Sequence, residues 1–389
     1  MSVLRNKGRL TIDIGWFIVV EFILCLLVIW NTFTGADVWV SRFFAVSLVV
    51  LLALFIIKFP PKADLLLTML ILIVVVSFMG VIFSWRRNDA AISFNNLKSY
   101  FLFCATIIYM YLSVRIELRE VFIHRIIWMG VFLAGLFPIG YAWFNFSRTP
   151  YLIMNFTNPN LTSMYLLQAV LYAFIGISFL DKFLYKVICL GLIAINSVFL
   201  YWTEARNARI SLLLFLALLI WCLIRNKNKI SPIMQLGIGA FPLMFLLLYL
   251  QLIEWDAIKE TFNFMVEEGK PLTSRVEIWR NILRDLKGYY LTGDYFELGG
   301  NAHNSHMVVL ASFGTVALLL VIYYLYLILK EANSKCATKK QMICLLAFCC
   351  SLFMGMGEGA LFSGGLCLYV MCCTPLLLAR ASEKNNTEV

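Results

Sequence analysis

Apolar runs of roughly 20 residues recur along the whole chain, each long enough to cross a hydrocarbon core about 30 Å thick. Nothing else in the sequence restricts the fold as much. A backbone in lipid must satisfy its own hydrogen bonds, and a helix does so inside each run. The runs fall at 12–33, 38–57, 65–85, 97–114, 122–143, 161–180, 184–203, 209–225, 233–253, 305–329, 341–357 and 360–379. At 62% hydrophobic and 14% charged residues, the chain lies far from the soluble range, where about 25% charged is usual. The expected fold class is an all-α polytopic membrane protein with about twelve transmembrane helices. The first run, Ile14 to Phe33, is too long for a signal-peptide core and has no small-residue cleavage site, so it reads as the first span.

An even number of spans puts both termini on one side, and basic residues say which, because short cytoplasmic loops collect Lys and Arg. The termini and even-numbered loops hold 19 basic residues and the odd-numbered loops 12, with Arg42 inside the second span. Both termini are therefore expected in the cytoplasm, and the odd-numbered loops outside. The net charge of +10 follows largely from this topology and is no sign of a nucleic-acid partner.

The outward loops depart from the charge rule in an informative way. Apart from Lys98, the short ones carry only Arg: Arg86, Arg87, Arg148, Arg206 and Arg209. Arginine presents a planar fork suited to phosphate or carboxylate. Arg86, Arg87 and Arg148 read equally well as headgroup contacts. Arg206 and Arg209 sit in a tight turn beside Glu204, and ionisable groups held at the membrane mouth tend to mark sites. Inside the membrane, Glu21 is the clearest carboxylate, with Arg42 a candidate structural partner.

One long hydrophilic segment, 254–304, divides the chain into spans 1–253, an outward loop, and a last section 305–389. In the loop, Ile253, Trp255, Ile258, Phe262, Met265 and Val266 recur at helical spacing until Gly269 and Pro271. Ser274-Arg275-Val276-Glu277 then reads as a capping box opening a second helix. That helix places Ile278, Trp279, Ile282, Leu283 and Leu286 on one face, sets Arg280, Arg284 and Lys287 largely elsewhere, and closes at Gly288. It suits a surface position or a cap over the bundle mouth. The loop runs into His303-Asn304-Ser305-His306 at the start of the tenth span. A neutral imidazole there can accept a proton from a hydroxyl. Asn304 can orient a ring or bond a sugar. Ordinary interfacial histidines are the competing reading for His303 and His306.

The 11 cysteines lie almost entirely within spans, with Cys336 in a basic loop, which excludes a disulfide framework outside. No Cys/His spacing resembles a structural zinc site, and two histidines three apart have no further ligands near them in sequence. Gly355, Gly357 and Gly359, with Gly364 and Gly365, form a small-residue patch suited to close packing or a broken helix. The sequons at Asn155 and Asn160 are short enough to arise by chance.

Thr203-Glu204-Ala205-Arg206, Ser274-Arg275-Val276-Glu277-Ile278-Trp279, Gly293, and Ala302-His303-Asn304 before a span containing Gly314 together resemble the O-antigen ligase and O-antigen polymerase superfamily. The likeness covers about residues 150–330 by motif and the whole chain by topology. It implies a GT-C-like membrane fold in the bacterial inner membrane and a metal-independent glycosyltransferase without cofactor. It also implies an undecaprenyl-diphosphate-linked glycan as donor and a glycan or lipid A-core as acceptor. Membrane lipids and a chain-length regulator and flippase of the same pathway are the implied neighbours. By this resemblance His303 is the catalytic base, and Arg206 and Arg275 bind the diphosphate. Arg209 is a substitute, since Ala205 stands where the family usually has Ser. Asn304, His306 and Arg280 are further candidates for substrate contact. The first outward loop, Thr34 to Asp37, lacks the Asp-x-Asp pair of metal-dependent oligosaccharyltransferases. Polymerisation of repeat units is the leading expectation, transfer by a ligase the second, and a lipid-linked oligosaccharide flippase the non-enzymatic rival. Gathering of ionic residues at one face favours surface chemistry over transport.

Overall fold

The computed structural model describes residues 3–35, 46–47, 49–50, 53, 63–88, 94–116, 118, 120–149, 151–156, 158–249, 273–294, 302–358, 362 and 366–380. The regular elements among them are all α-helical. They are α1 (Val3–Thr34), α2 (Leu65–Asn88), α3 (Phe94–Ser113), α4 (Glu120–Phe144), α5 (Pro159–Phe179), α6 (Phe183–Trp202), α7 (Arg206–Ile224), α8 (Pro232–Tyr249), α9 (Thr273–Asp285), α10 (Ser305–Lys335), α11 (Lys339–Met354) and α12 (Leu366–Ala379).

Among the described residues, seven stretches are long and apolar enough to cross a membrane: Gly15–Thr34, Leu65–Phe83, Glu120–Phe144, Pro159–Phe179, Phe183–Trp202, Arg206–Ile224 and Ser305–Lys335. Tyr100–Ser113, Pro232–Leu247 and Cys367–Ala379 are shorter apolar helices at three further expected spans. The chain is thus a multi-pass helical membrane protein. Of the expected second span, Val46, Ser47, Val49, Val50 and Ala53 are described, all helical. Arg42 and the amphipathic pattern at 253–266 lie outside the described residues, as do the side chains of Arg86, Arg87 and Lys98.

The helix starts follow from local chemistry. Asn158 caps α5 by accepting from the Leu161 amide, with Pro159 at the first helical position, where a missing N–H costs nothing. Thr338 and Gln341 form a capping box on α11. Burial separates the helices into two groups. α5, α11 and α12 are enclosed, and some of their polar atoms pair with one another: Gln168 donates to Ser351 Oγ at 3.0 Å and Tyr172 Oη to Met371 O at 2.9 Å. α6, by contrast, leaves Phe183, Leu184, Leu190 and Tyr201 exposed, which is sensible only where the solvent is itself apolar. Asn196 on α6 turns inward and donates to Ala134 O at 2.8 Å.

α10 is broken. Gly314 has φ 84° and ψ 179°, far from helical values. The break frees backbone groups that lipid cannot satisfy, and the chain after α9 supplies them. Ala311 O accepts from Asp294 N at 2.7 Å, and Thr315 N donates to Tyr290 O at 2.7 Å. A Cβ on Gly314 would lie 2.2 Å from Leu291 O, and one on Gly293 (φ 69°) 2.5 Å from Phe313 N. Only glycine allows backbones this close. The bend is large. On a straight helix, residues 306 and 322 would be about 24 Å apart. Yet the His306 ring lies against the Gly239 backbone, and a Gly239 Cβ would lie 3.6 Å from Ile322 O.

The cysteines are all free and buried. Burial pushes the Cys336 thiol, just beyond the end of α10, up to about 12, with Lys229 acting weakly the other way. Two outcomes are expected from these features. Maleimide at pH 7 should label the folded, detergent-solubilised protein only after denaturation; ready labelling of Cys336 would contradict its burial. Gly314→Ala should detach the 290–294 segment, since left-handed strain alone costs about 1–3 kcal/mol. Limited proteolysis should then cut there much faster than in the unchanged protein, and equal rates would show that the segment is not held by the break.

Candidate active site at the turn after α11

Helix α11 ends in a turn, Met354-Gly355-Met356-Gly357-Glu358, whose carbonyls no longer have partners along the helix. Each is taken by a donor from elsewhere in the chain. Asn207 Nδ2 donates to Met354 O at 2.6 Å, and Ser305 N to Gly355 O at 2.8 Å. Asn304 Nδ2 donates to Met356 O at 2.8 Å, and Arg275 Nη1 to Gly357 O at 2.6 Å. Ser305 Oγ donates to Glu358 O at 3.1 Å. Five consecutive carbonyls thus collect α7, α9 and the start of α10. A Cβ on Gly357 would lie 2.8 Å from Arg275 Nη1 and 2.9 Å from Asn207 Cγ, so a larger residue would displace the ends of these two side chains.

The Glu358 side chain then joins two sequence-predicted residues. Arg275 Nη2 donates to Oε1 at 2.7 Å, and His303 Nδ1 lies 3.2 Å from Oε2. The carboxylate is 9% exposed, the guanidinium 26% and the imidazole 38%. A buried acid is thereby neutralised by a forked cation, and the ring is left accessible. Sequence reasoning did not single out Glu358. The available signal was a lone acid inside a glycine-rich apex between two apolar runs.

Local structure aims these groups. α9 begins at Thr273, so Ser274 lies within its first turn instead of preceding it. The amphipathic face is as expected: Trp279, Ile282 and Leu286 are buried, while Arg280, Arg284 and Lys287 are exposed. Trp279 Nε1 donates to Ala302 O, which ties α9 to the residue preceding His303. His303 itself has φ 48°, a left-handed conformation uncommon for a side chain of this size. Asn304 next caps α10, accepting from the amides of His306 and Met307 at 3.0 and 2.9 Å, and its Nδ2 also reaches Pro242 O at 2.9 Å. The Trp279 bond to Ala302 O on one side and the Asn304 cap on the other hold His303 in its strained backbone.

Arg206 is the first residue of α7, three residues earlier than the expected span edge, and directly precedes Asn207. It is half-buried and, among the described residues, makes no hydrogen bond or ion pair. Before it, Glu204 is left-handed with φ 54° and Thr203 Oγ1 accepts from Ala205 N, which tightens the turn. Arg209 goes elsewhere: its guanidinium lies 4.5 Å over the Tyr201 ring and donates to Tyr201 O. Arg280 is exposed on the far face of α9. His306 is buried in α10 with no hydrogen bond of normal geometry to either ring nitrogen. Arg148 stacks 5.4 Å over Trp202. Asn155 is spent on Phe33 O at 2.7 Å. Glu21 is buried beside Ser47.

The geometry therefore assembles Arg275, His303 and Glu358 at one turn, with Arg206 one residue from a fourth contact. Breaking the ion pair should destabilise the protein by about 1–3 kcal/mol, below the 3–5 of fully buried pairs, since Arg275 is partly exposed. Arg275→Gln should cost more than Glu358→Gln, because it strands the more buried partner. Thermal unfolding in detergent checks this, and equal small losses would mean that the pair contributes nothing. Comparison with protein-family models, curated proteins and solved structures gives no match for this chain.

Proposed function

We propose that this protein is a glycosyltransferase that polymerises undecaprenyl-diphosphate-linked oligosaccharide repeat units on the outer face of the bacterial inner membrane. In this reading it has about twelve spans in a GT-C-like fold and both termini are cytoplasmic. The observation that carries it is the shared carboxylate: Arg275 and His303, distant in sequence, meet on the two oxygens of Glu358. The motifs around Arg206, Arg275 and His303 resemble the O-antigen ligase and polymerase superfamily, and two of the three fall on one turn.

The chemistry follows from these side chains. With the proton on Nδ1 donated to Glu358, His303 offers Nε2 as acceptor. The acceptor sugar hydroxyl gives its proton to Nε2 while its oxygen bonds to the anomeric carbon of the donor. The bond from that carbon to phosphate breaks, and undecaprenyl diphosphate leaves with the electron pair. Charge grows on the leaving diphosphate, and arginines aimed at it lower the barrier. Arg206 brings an unengaged guanidinium at a helix start, where backbone amides also favour anions. Arg275 arrives with two of its five donors already fixed, which holds its fork in place. Glu358 sets the tautomer and orients the ring, as the acid does in a Ser-His-Asp triad.

A ligase would use the same donor and differ only in acceptor. Polymer profiles of a deletion strain separate them: loss of a polymerase leaves single repeat units attached, whereas loss of a ligase leaves none on the core. His303→Ala should abolish polymer while the protein remains folded and inserted, since general-base catalysis is worth about 10²–10⁴ in rate. Normal product length and yield would remove His303 from the chemistry. Arg206→Lys should lose about 10²–10³ in rate, because a point charge does not replace a fork. Full activity in that variant would reduce Arg206 to a headgroup contact. A lipid-diphosphate donor turned over by purified protein, without a second compartment, would exclude the flippase.

A further inference from the structure

At the opposite end of the bundle, the loops following α7 and α10 are tied together. Asn333 accepts from Ile230 N and donates to Ile230 O, both at 2.9 Å. Asn228 Nδ2 donates to Ala337 O at 2.9 Å. Between the loops lies a cavity of about 570 Å³. Lys227, Lys229 and Lys335 line it together with Trp221, and no carboxylate is among its described lining residues. The acid nearest in sequence, Glu331, is turned to Arg115 at 3.6 Å.

Topological bias accounts for lysines in these loops. It does not by itself account for three of them around one open cavity, where Lys229 Nζ donates to Ser334 O at 3.4 Å. An anion there would meet positive charge from both loops. Trp221 places the cavity at headgroup depth, since indoles favour the membrane–water boundary. Lys227 Nζ lies 5.7 Å over its ring.

We propose that this cavity binds an anionic phosphodiester or phosphomonoester, the chemistry of a phosphoglycerol headgroup. Basic pockets between membrane helices take anionic headgroups in this way. The lysines supply the charge that recognises it. A membrane phospholipid and a soluble glycerol phosphate both present this group.

Native mass spectrometry of the full chain in mild detergent tests it, with phosphatidylglycerol, phosphatidylcholine and free glycerol phosphate as probes. Retention of phosphatidylglycerol over phosphatidylcholine should fall about five-fold for each lysine changed to Gln and about a hundred-fold for all three. Lys→Arg at the same positions should keep the preference. Lys182, Lys186 and Lys340→Gln, made elsewhere at this end, should also keep it. Should the triple Gln variant fail to fold, Lys335→Gln alone carries the same test. Displacement of the lipid by millimolar glycerol phosphate would assign the site to lipid and soluble ligands alike. Binding of glycerol phosphate without phosphatidylglycerol would assign it to the soluble source. Unchanged lipid preference in the Gln variants with no glycerol phosphate binding would overturn the proposal, and so would equal loss in the control set.

Discussion

Five successive carbonyls from Met354 to Glu358 lie at and past the end of α11 and take their donors from elsewhere in the chain. Water at a membrane mouth could solvate such groups, but here protein does. The donors come from Asn207, Arg275, Asn304 and Ser305, so the requirement of one helix end fixes the relative places of three other elements. Glu358 extends the same logic from backbone to side chain. A carboxylate this enclosed needs a cation, and Arg275 is already committed to the adjacent carbonyl. The imidazole then meets the second oxygen, and its orientation becomes a by-product of satisfying a buried charge.

How much of this was legible in the chain depends on the range of each interaction. The face of α9 was readable because Trp279, Ile282 and Leu286 repeat at helical spacing. Gly288 was readable as the residue closing its helix, whereas Asn304, read as orienting a ring or bonding a sugar, caps α10. Arg275 and His303 stood out as polar groups at the margins of apolar runs. Glu358 did not, because its meaning lies in partners 83 and 55 positions away. Its glycine neighbours looked like packing residues, whereas Gly357 is bare to admit the Arg275 guanidinium.

Arg209 shows the converse. Spacing alone set it beside Arg206 as an equal, yet a ring eight residues earlier on the preceding helix captures it. Cation–π contact and a backbone acceptor are both local and both satisfied at the bundle surface. Pattern cannot tell a cation aimed at a ligand from one lying on a neighbouring aromatic. Helix edges were similarly underdetermined: α7 opens three residues before the hydropathy rises, because the turn at Thr203–Ala205 closes without apolar help.

The interruption at Gly314 bears on how the protein is made. The residues that complete it, 290–294, precede it in the chain and therefore leave the ribosome first. When Ala311 and Thr315 follow, their complement has already been synthesised. The reverse order would leave a cleft helix waiting in the bilayer with open backbone groups. Synthesis order and hydrogen-bond supply thus agree, and biogenesis of this segment can proceed without exposing an unmatched amide to lipid.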